Sequence, residues 1–146
     1  MKAQFSLILL VALPCIIFSQ DPKFLLTIHA GAIDDEMDKF PIEREQAFVT
    51  GLVASLKAGY NILKEGGVNI DAIQASLNSM ENNPTFNSGK GAKVNENFEC
   101  ELDTSIMNGT DLKCGACAGL HHIKNPINCA RKVMEKTPHI LLIGKS

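Results

Sequence analysis

Residues 101–143 read ELDTSIMNGTDLKCGACAGLHHIKNPINCARKVMEKTPHILLI, and this stretch decides the fold. Leu112 to Leu120 is small and apolar with no helix-start signal, which predicts a buried strand. Ahead of it, residues near Val94 and from Phe98 to Asp103 also read as strands. Turns are expected at Asn95-Glu96-Asn97 and at Asn108-Gly109, a dipeptide that favours tight turns. Asn125-Pro126 is a cap followed by proline at the first helical position, where a missing N–H costs nothing. A helix should therefore run through Ile127, Ala130, Val133 and Met134 to Lys136. Pro138 closes it, and His139 to Ile143 follows as an apolar candidate strand.

Working outward toward the N-terminus, Val49, Leu52, Val53, Leu56, Tyr60 and Leu63 recur at spacings of three and four behind Pro41. They form one stripe of a long amphipathic helix, which Gly66-Gly67 stops. A second helix starts behind Asn69 as its cap, carries Ile70, Ile73, Leu77 and Met80 on one face, and ends at Asn82-Asn83-Pro84. Asn83 to Gly91 holds Pro84, Asn87, Gly89 and Gly91 and reads as a loop that turns sharply more than once. Phe24 to Ile28 is a short apolar run between Pro22 and Gly31, as expected of an interior strand, and Asp34 to Asp38 is an acidic loop. The elements mix helices and strands without a repeat, so the expected class is α+β.

The chain has 146 residues, 45% hydrophobic and 21% charged, with a formal net charge of -2, which fits one globular domain. No basic field or long single-sign run is present, which argues against nucleic acid as a partner. Residues 1–20 differ from the rest: Lys2 precedes a nearly unbroken apolar stretch from Phe5 to Ile17, with Ser19-Gln20 before Asp21-Pro22. This reads as a secretory signal peptide, and the chain is expected to be secreted or lumenal. The alternative, an uncleaved anchor, needs about 20 apolar residues to span a bilayer. Beyond the leader lie Cys100, Cys114, Cys117 and Cys129, and secretion permits disulfides without requiring them. Cys114-Gly-Ala-Cys117 has the spacing of a redox or zinc motif. In a strand, however, residues an odd number apart face opposite ways, so buried structural cysteines are the expected reading.

Five segments in order resemble one family. Ile28-His29-Ala30-Gly31-Ala32 resembles the HGGAG loop of the plant-type L-asparaginases and isoaspartyl peptidases. Ala58 to Gly67 with Asp71-Ala72-Ile73 is similar to their GY-x-IL-x-x-GG-x-x-x-DAV signature. Asn83-Pro84-Thr85-Phe86-Asn87-Ser88-Gly89-Lys90-Gly91 looks like their DP-x-FNAGKG loop, and Glu101 to Gly109 their ELDASIMDG strand and turn. Lys124-Asn125-Pro126-Ile127 and Ala130 to His139 are close to their KNPI...ARLVMEKTPH. The resemblance covers nearly all of residues 24 to 143.

It implies an N-terminal-nucleophile (Ntn) hydrolase with an αββα sandwich, made as a precursor that cuts itself and frees a threonine. That threonine is the nucleophile and, through its α-amino group, its own base: an amine of pKa near 8 can take the hydroxyl proton at neutral pH. The implied substrates are asparagine and isoaspartyl dipeptides. By the same resemblance, Asn87, His29 and Gly31 fall in the shell around the active site, although His29 is not read as a base. Main-chain carbonyls of Met80, Glu81, Asn83, Phe86, Ser88 and Lys90 match a segment that wraps a sodium or potassium ion, the alternative being a plain surface loop. Asn87 has an alternative too, as a turn residue. His121 and His122 have no carboxylate at telling spacing. Asn108-Gly109-Thr110 is a candidate N-glycosylation sequon in a predicted turn.

Two departures stand out. Ala30 replaces the second glycine of the loop, adding a Cβ where backbone freedom is expected. No threonine of this sequence is followed by the T-x-G-T-V-G pattern that opens the catalytic half. The sequence closes after an apolar strand, so the expectation is the N-terminal (alpha-subunit) part, residues 21–146, of an incomplete sandwich, inactive alone. Its implied partner is a catalytic second half (beta subunit), with a dimer of heterodimers as the complete form. The alternative is a non-catalytic secreted scaffold that binds a partner.

Overall fold

The computed structural model describes residues 24–30 and 41–144. The signal-peptide, Gly31 and Asp34-to-Asp38 expectations lie outside the described residues. Helix α1 spans Ile42–Lys64, α2 Asn69–Glu81 and α3 Pro126–Lys136, with a 3-10 turn at Gly89–Gly91. Strands β1 (Leu102–Met107), β2 (Cys114–Leu120) and β3 (Leu141–Ile143) form one sheet in the order β1-β2-β3. β1 and β2 are an antiparallel hairpin, whereas β2 and β3 are parallel and joined through α3. The class is α+β, and the small mixed sheet with its helices is consistent with part of an Ntn-hydrolase fold.

α3 forms where its cap predicted. Its apolar residues Ile127, Ala130 and Met134 pack with Ile106 of β1 and Ile70 of α2, with Ile73 and Leu77 at the margin. A second cluster joins Cys117 and Leu120 of β2 to Val133, bordered by Leu102, Ile123 and Cys129. Polar contacts fasten α2 to α3: Arg131 pairs with Asp71 at 2.6 Å, and Gln74 Nε2 donates to Asn128 Oδ1 at 2.6 Å.

α1 has the predicted length but buries a different face. Its buried residues are Gly51, Ser55 and Gly59, while Val49, Val53 and Tyr60 of the apolar stripe remain exposed. Small residues four apart let two helices approach closely. A Cβ at Gly59 would stand 2.8 Å from the Ala72 carbonyl oxygen of α2. Ser55 Oγ donates to the Ser76 carbonyl at 2.9 Å, and Ser76 Oγ returns the bond to the Ser55 carbonyl at 3.0 Å. Each buried hydroxyl thereby finds a partner.

Five strand expectations change, and the first is that β2 begins at Cys114, with Leu112 exposed and at φ 59 outside it. β1 begins at Leu102, not Phe98, because Asn95 organises the preceding chain as a turn: its Oδ1 accepts the N–H groups of Asn97 and Glu99 at 2.9 and 3.1 Å. Phe98 is left at φ 59, outside any strand, and Val94 makes only an isolated bridge to Cys100. Phe24 to Ile28 alternates half-buried and exposed residues but joins no strand among the described residues. It lies along α1, with the Phe24 and Tyr60 rings 5.3 Å apart. β3 forms, yet Leu141, Leu142 and Ile143 are all exposed rather than buried.

Candidate active-site loop

Residues 82–91 connect α2 to the sheet, and their placement begins with Phe86, which is 4% exposed. Its ring lies 5.0 Å from that of Phe48 on α1. It also fills the space over Gly51, where an added Cβ would come within 2.8 Å of the ring and 2.6 Å of Asn83 Nδ2. Inside the loop, Asn83 Oδ1 accepts the Thr85 N–H at 3.0 Å. The Asn83 carbonyl accepts from Phe86, the Phe86 carbonyl from Ser88, and the Ser88 carbonyl from Gly91. The chain thus turns back on itself three times, as its Pro, Asn and Gly content implied.

Gly89 closes the loop. It sits at φ +52, and a Cβ there would stand 2.5 Å from the Glu81 carbonyl oxygen. Glycine alone meets both demands at no cost. Gly91 presses in the same way on the Phe86 and Pro84 carbonyl oxygens, the latter 2.5 Å from an added Cβ. Carbonyls of residues 81, 84 and 86 are therefore gathered around the Gly89-Lys90-Gly91 turn. Of these, Glu81 and Phe86 belong to the carbonyls that the resemblance implies for an alkali ion, while the Met80, Asn83, Phe86 and Ser88 carbonyls of that set accept N–H groups within the loop. Among the described residues no group of three or more His, Cys, Asp or Glu side chains is placed to hold a metal.

Asn87 lies at the apex, exposed. Its Oδ1 accepts the Lys93 N–H at 2.8 Å. That bond fixes the amide's orientation: the carbonyl points inward to the chain, and the NH2 is left as the outward donor. His29 is exposed in the segment beside α1. Asn108 stands at the head of the β1–β2 connection, where its Oδ1 accepts the Thr110 N–H at 3.1 Å and its own N–H bonds the Lys113 carbonyl at 2.8 Å.

One residue of the loop's base escaped sequence reasoning in its side chain. Glu81, at the end of α2, is 4% exposed. Its Oε1 accepts the Ile127 N–H at 2.9 Å and its Oε2 the Asn125 Nδ2 at 3.1 Å. A carboxylate of one helix thereby satisfies the N-terminus of another, where the helix dipole favours negative charge. Burial pushes its pKa above the ordinary carboxylate value, while the bonds from Ile127 and Asn125 pull the other way. A capping acid in a distant helix leaves no local sequence signal.

Cys114 and Cys117 both lie on β2 but do not converge. Cys117 is buried and meets Cys129 of α3, Sγ to Sγ 2.9 Å, and all four described cysteines are free thiols. The redox or zinc pairing suggested by Cys114-Gly-Ala-Cys117 is absent among the described residues.

Known proteins resemble this chain in sequence. The asparaginase family profile matches residues 21–146. The chain is 46% identical over 118 residues to the isoaspartyl peptidase/L-asparaginase of Bos taurus, covering 81% of this chain and 37% of that protein. It is 43% identical over 120 residues to the plant-type L-asparaginase of Thermococcus kodakarensis, covering 82% and 38%. With the isoaspartyl peptidase of Escherichia coli it shares 34% over 123 residues, covering 84% and 38%. The chain thus spans a little over a third of the length of the curated relatives it matches.

Proposed function

This chain belongs to the asparaginase family, and we propose that it supplies the substrate-side loop of a hydrolase for L-asparagine and isoaspartyl dipeptides. The nucleophile is an amino-terminal threonine on a second segment, the catalytic beta part. Its α-amino group takes the hydroxyl proton, the oxygen attacks the side-chain amide carbon, and the leaving amine departs before water releases aspartate. A donor must meet the oxyanion that forms on the attacked carbonyl. The Asn87 amide, held by Lys93 with its NH2 outward, is the observation that carries this reading.

The same proposal assigns the main-chain carbonyls of Met80, Glu81, Asn83, Phe86, Ser88 and Lys90 to a sodium or potassium ion. The ion takes no part in the bond changes; it would hold the loop that presents Asn87. The open apolar strand β3 and the apolar stripe of α1 are the faces offered to the second segment, and two such pairs form the complete dimer of heterodimers. Secretion through the leader at residues 1–20 and a glycan on Asn108 belong to this proposal as well. Reduced mass on glycosidase treatment of protein from a eukaryotic host, lost in Asn108→Gln, tests both.

The decisive test of the activity is complementation. A polypeptide of these 146 residues should release no ammonia from asparagine and no aspartate from β-aspartyl dipeptides. Co-expression with the threonine-led segment of a relative should restore both. Asn87→Ala should then lower kcat about 10²- to 10³-fold without changing assembly. Turnover by these residues alone, surviving Asn87→Ala, would overturn the placement of the site.

A further inference from the structure

The second core cluster brings two thiols together, one within it and one at its margin. Cys117 is 2% exposed on β2, and Cys129 stands on the facing side of α3 with its sulfur 2.9 Å away. A disulfide bond is about 2.03–2.05 Å long, so closure needs an approach of under about 1 Å. Both cysteines sit on elements fixed by the same cluster, with Leu120, Val133, Leu102 and Ile123 around them. The packing of β2 on α3 thus holds the two sulfurs close together.

The two sulfurs differ in access. Cys129 lines an open cavity of about 240 Å³ together with Ile123, Lys124, Asn125, Asn128 and Lys132, whereas Cys117 lies behind it. We propose that Cys129 and Cys117 form an oxidisable pair, closed into a disulfide by exchange with an anionic low-molecular-weight disulfide of the glutathione type that enters this cavity. Lys124 and Lys132 supply the positive charge that draws a carboxylate-bearing reagent to the outer sulfur.

The exchange balances without another reactant. Cys129 gives its proton to solvent and its thiolate attacks one sulfur of oxidised glutathione, forming a mixed disulfide and expelling one glutathione thiolate. Cys117 then attacks Cys129 Sγ, forming the internal bond as its proton passes to the departing glutathione sulfur, which leaves as the second thiol. Two protein thiols lose two electrons in all, and one glutathione disulfide becomes two thiols. Burial, with the neighbouring Cys129 adding to it, pushes the Cys117 thiol up to about 12. It is therefore a poor first attacker, which leaves the opening step to the outer sulfur.

The test uses the full chain exposed to oxidised glutathione, then blocked by alkylation and digested with trypsin without reductant. Cleavage after Lys113, Lys124 and Arg131 separates residues 114–124 from 125–131, so the pair appears as two linked peptides and the loss of two alkylatable thiols. Cys114→Ser should keep the link. Cys117→Ser should abolish it and leave Cys129 carrying a stable glutathione adduct, and Lys132→Glu, which keeps all three cleavage sites, should slow the exchange several-fold. The inference is overturned if the link survives Cys117→Ser and vanishes in Cys114→Ser. It is equally overturned if residues 117 and 129 stay alkylatable in wild type after exposure that oxidises a small dithiol completely.

Discussion

Replacing Glu81 by alanine tests how the base of the loop is held. In the native chain its carboxylate is the acceptor for the buried Ile127 N–H at 2.9 Å and for Asn125 Nδ2 at 3.1 Å. Alanine leaves the Ile127 donor unsatisfied, at about 1–3 kcal/mol, and removes a negative group from the α3 N-terminus, at about 0.3–1 kcal/mol. Against these stands relief from burying a charge, because desolvation is the largest influence on this carboxylate. The net expectation for Glu81→Ala is a loss of about 2 kcal/mol. Glutamine keeps an oxygen for Ile127 and forgoes the charge, so Glu81→Gln should stay within about 1 kcal/mol of wild type. The assay is amide hydrogen exchange at Ile127, where about 2 kcal/mol corresponds to roughly 30-fold faster exchange at a tenfold per 1.4 kcal/mol. Equal protection in the alanine variant would refute the capping role. The pH dependence has a definite sign. With the folded pKa raised above the ordinary 4.5, the native state binds more protons than the unfolded chain in the window above that value. This group's stabilising contribution is therefore fully present below 4.5 and declines as pH rises through the folded pKa. Glu81→Gln should flatten that decline in urea midpoints taken between pH 4.5 and 7.

Gly89→Ala places a Cβ at φ +52 and 2.5 Å from the Glu81 carbonyl; it should cost more than about 1 kcal/mol by urea unfolding and should abolish complementation with the threonine-led segment. Gly59→Ala forces apart α1 and α2 at the Ala72 carbonyl, with an expected loss of about 1–3 kcal/mol and lower protection of α1 amides in hydrogen exchange. Leu142→Lys, on exposed β3, should leave the chain's own stability within about 0.5 kcal/mol yet prevent co-purification of the second segment; retained co-purification would remove β3 from the proposed interface.

Much of this architecture is legible from local chemistry. The α3 boundaries follow from Asn125-Pro126 and Pro138, and the core face of α2 from Ile70, Ile73, Leu77 and Met80. What the sequence conceals is which neighbour an element meets. The apolar period of α1 identifies a stripe but carries no information about Gly51, Ser55 and Gly59, whose smallness matters only once α2 lies against them. Similarly, alternation around Phe98 resembles a strand until Asn95 captures the backbone, a competition between side-chain and ladder hydrogen bonds that local propensity does not resolve. The Cys117–Cys129 contact joins residues from a strand and a helix, where spacing in sequence has no bearing on distance.

The candidate site shows the same division. Asn87 has no motif-level property that separates it from other turn asparagines, and only the family resemblance singled it out. Its position is determined by neighbours without reactive groups: Phe86 locked against Phe48 and Gly51, Gly89 at its positive φ, and the Lys93 N–H that orients the amide. These restraints act on both sides of residue 87, so the backbone that carries its side chain is held before and after it. Preorganisation of this kind is what an oxyanion donor requires, because a group that must be ordered during the reaction gives back much of what it stabilises. The glycines and phenylalanines of the loop are therefore as necessary to the proposed chemistry as the amide itself, and substitutions there should lower activity without touching substrate.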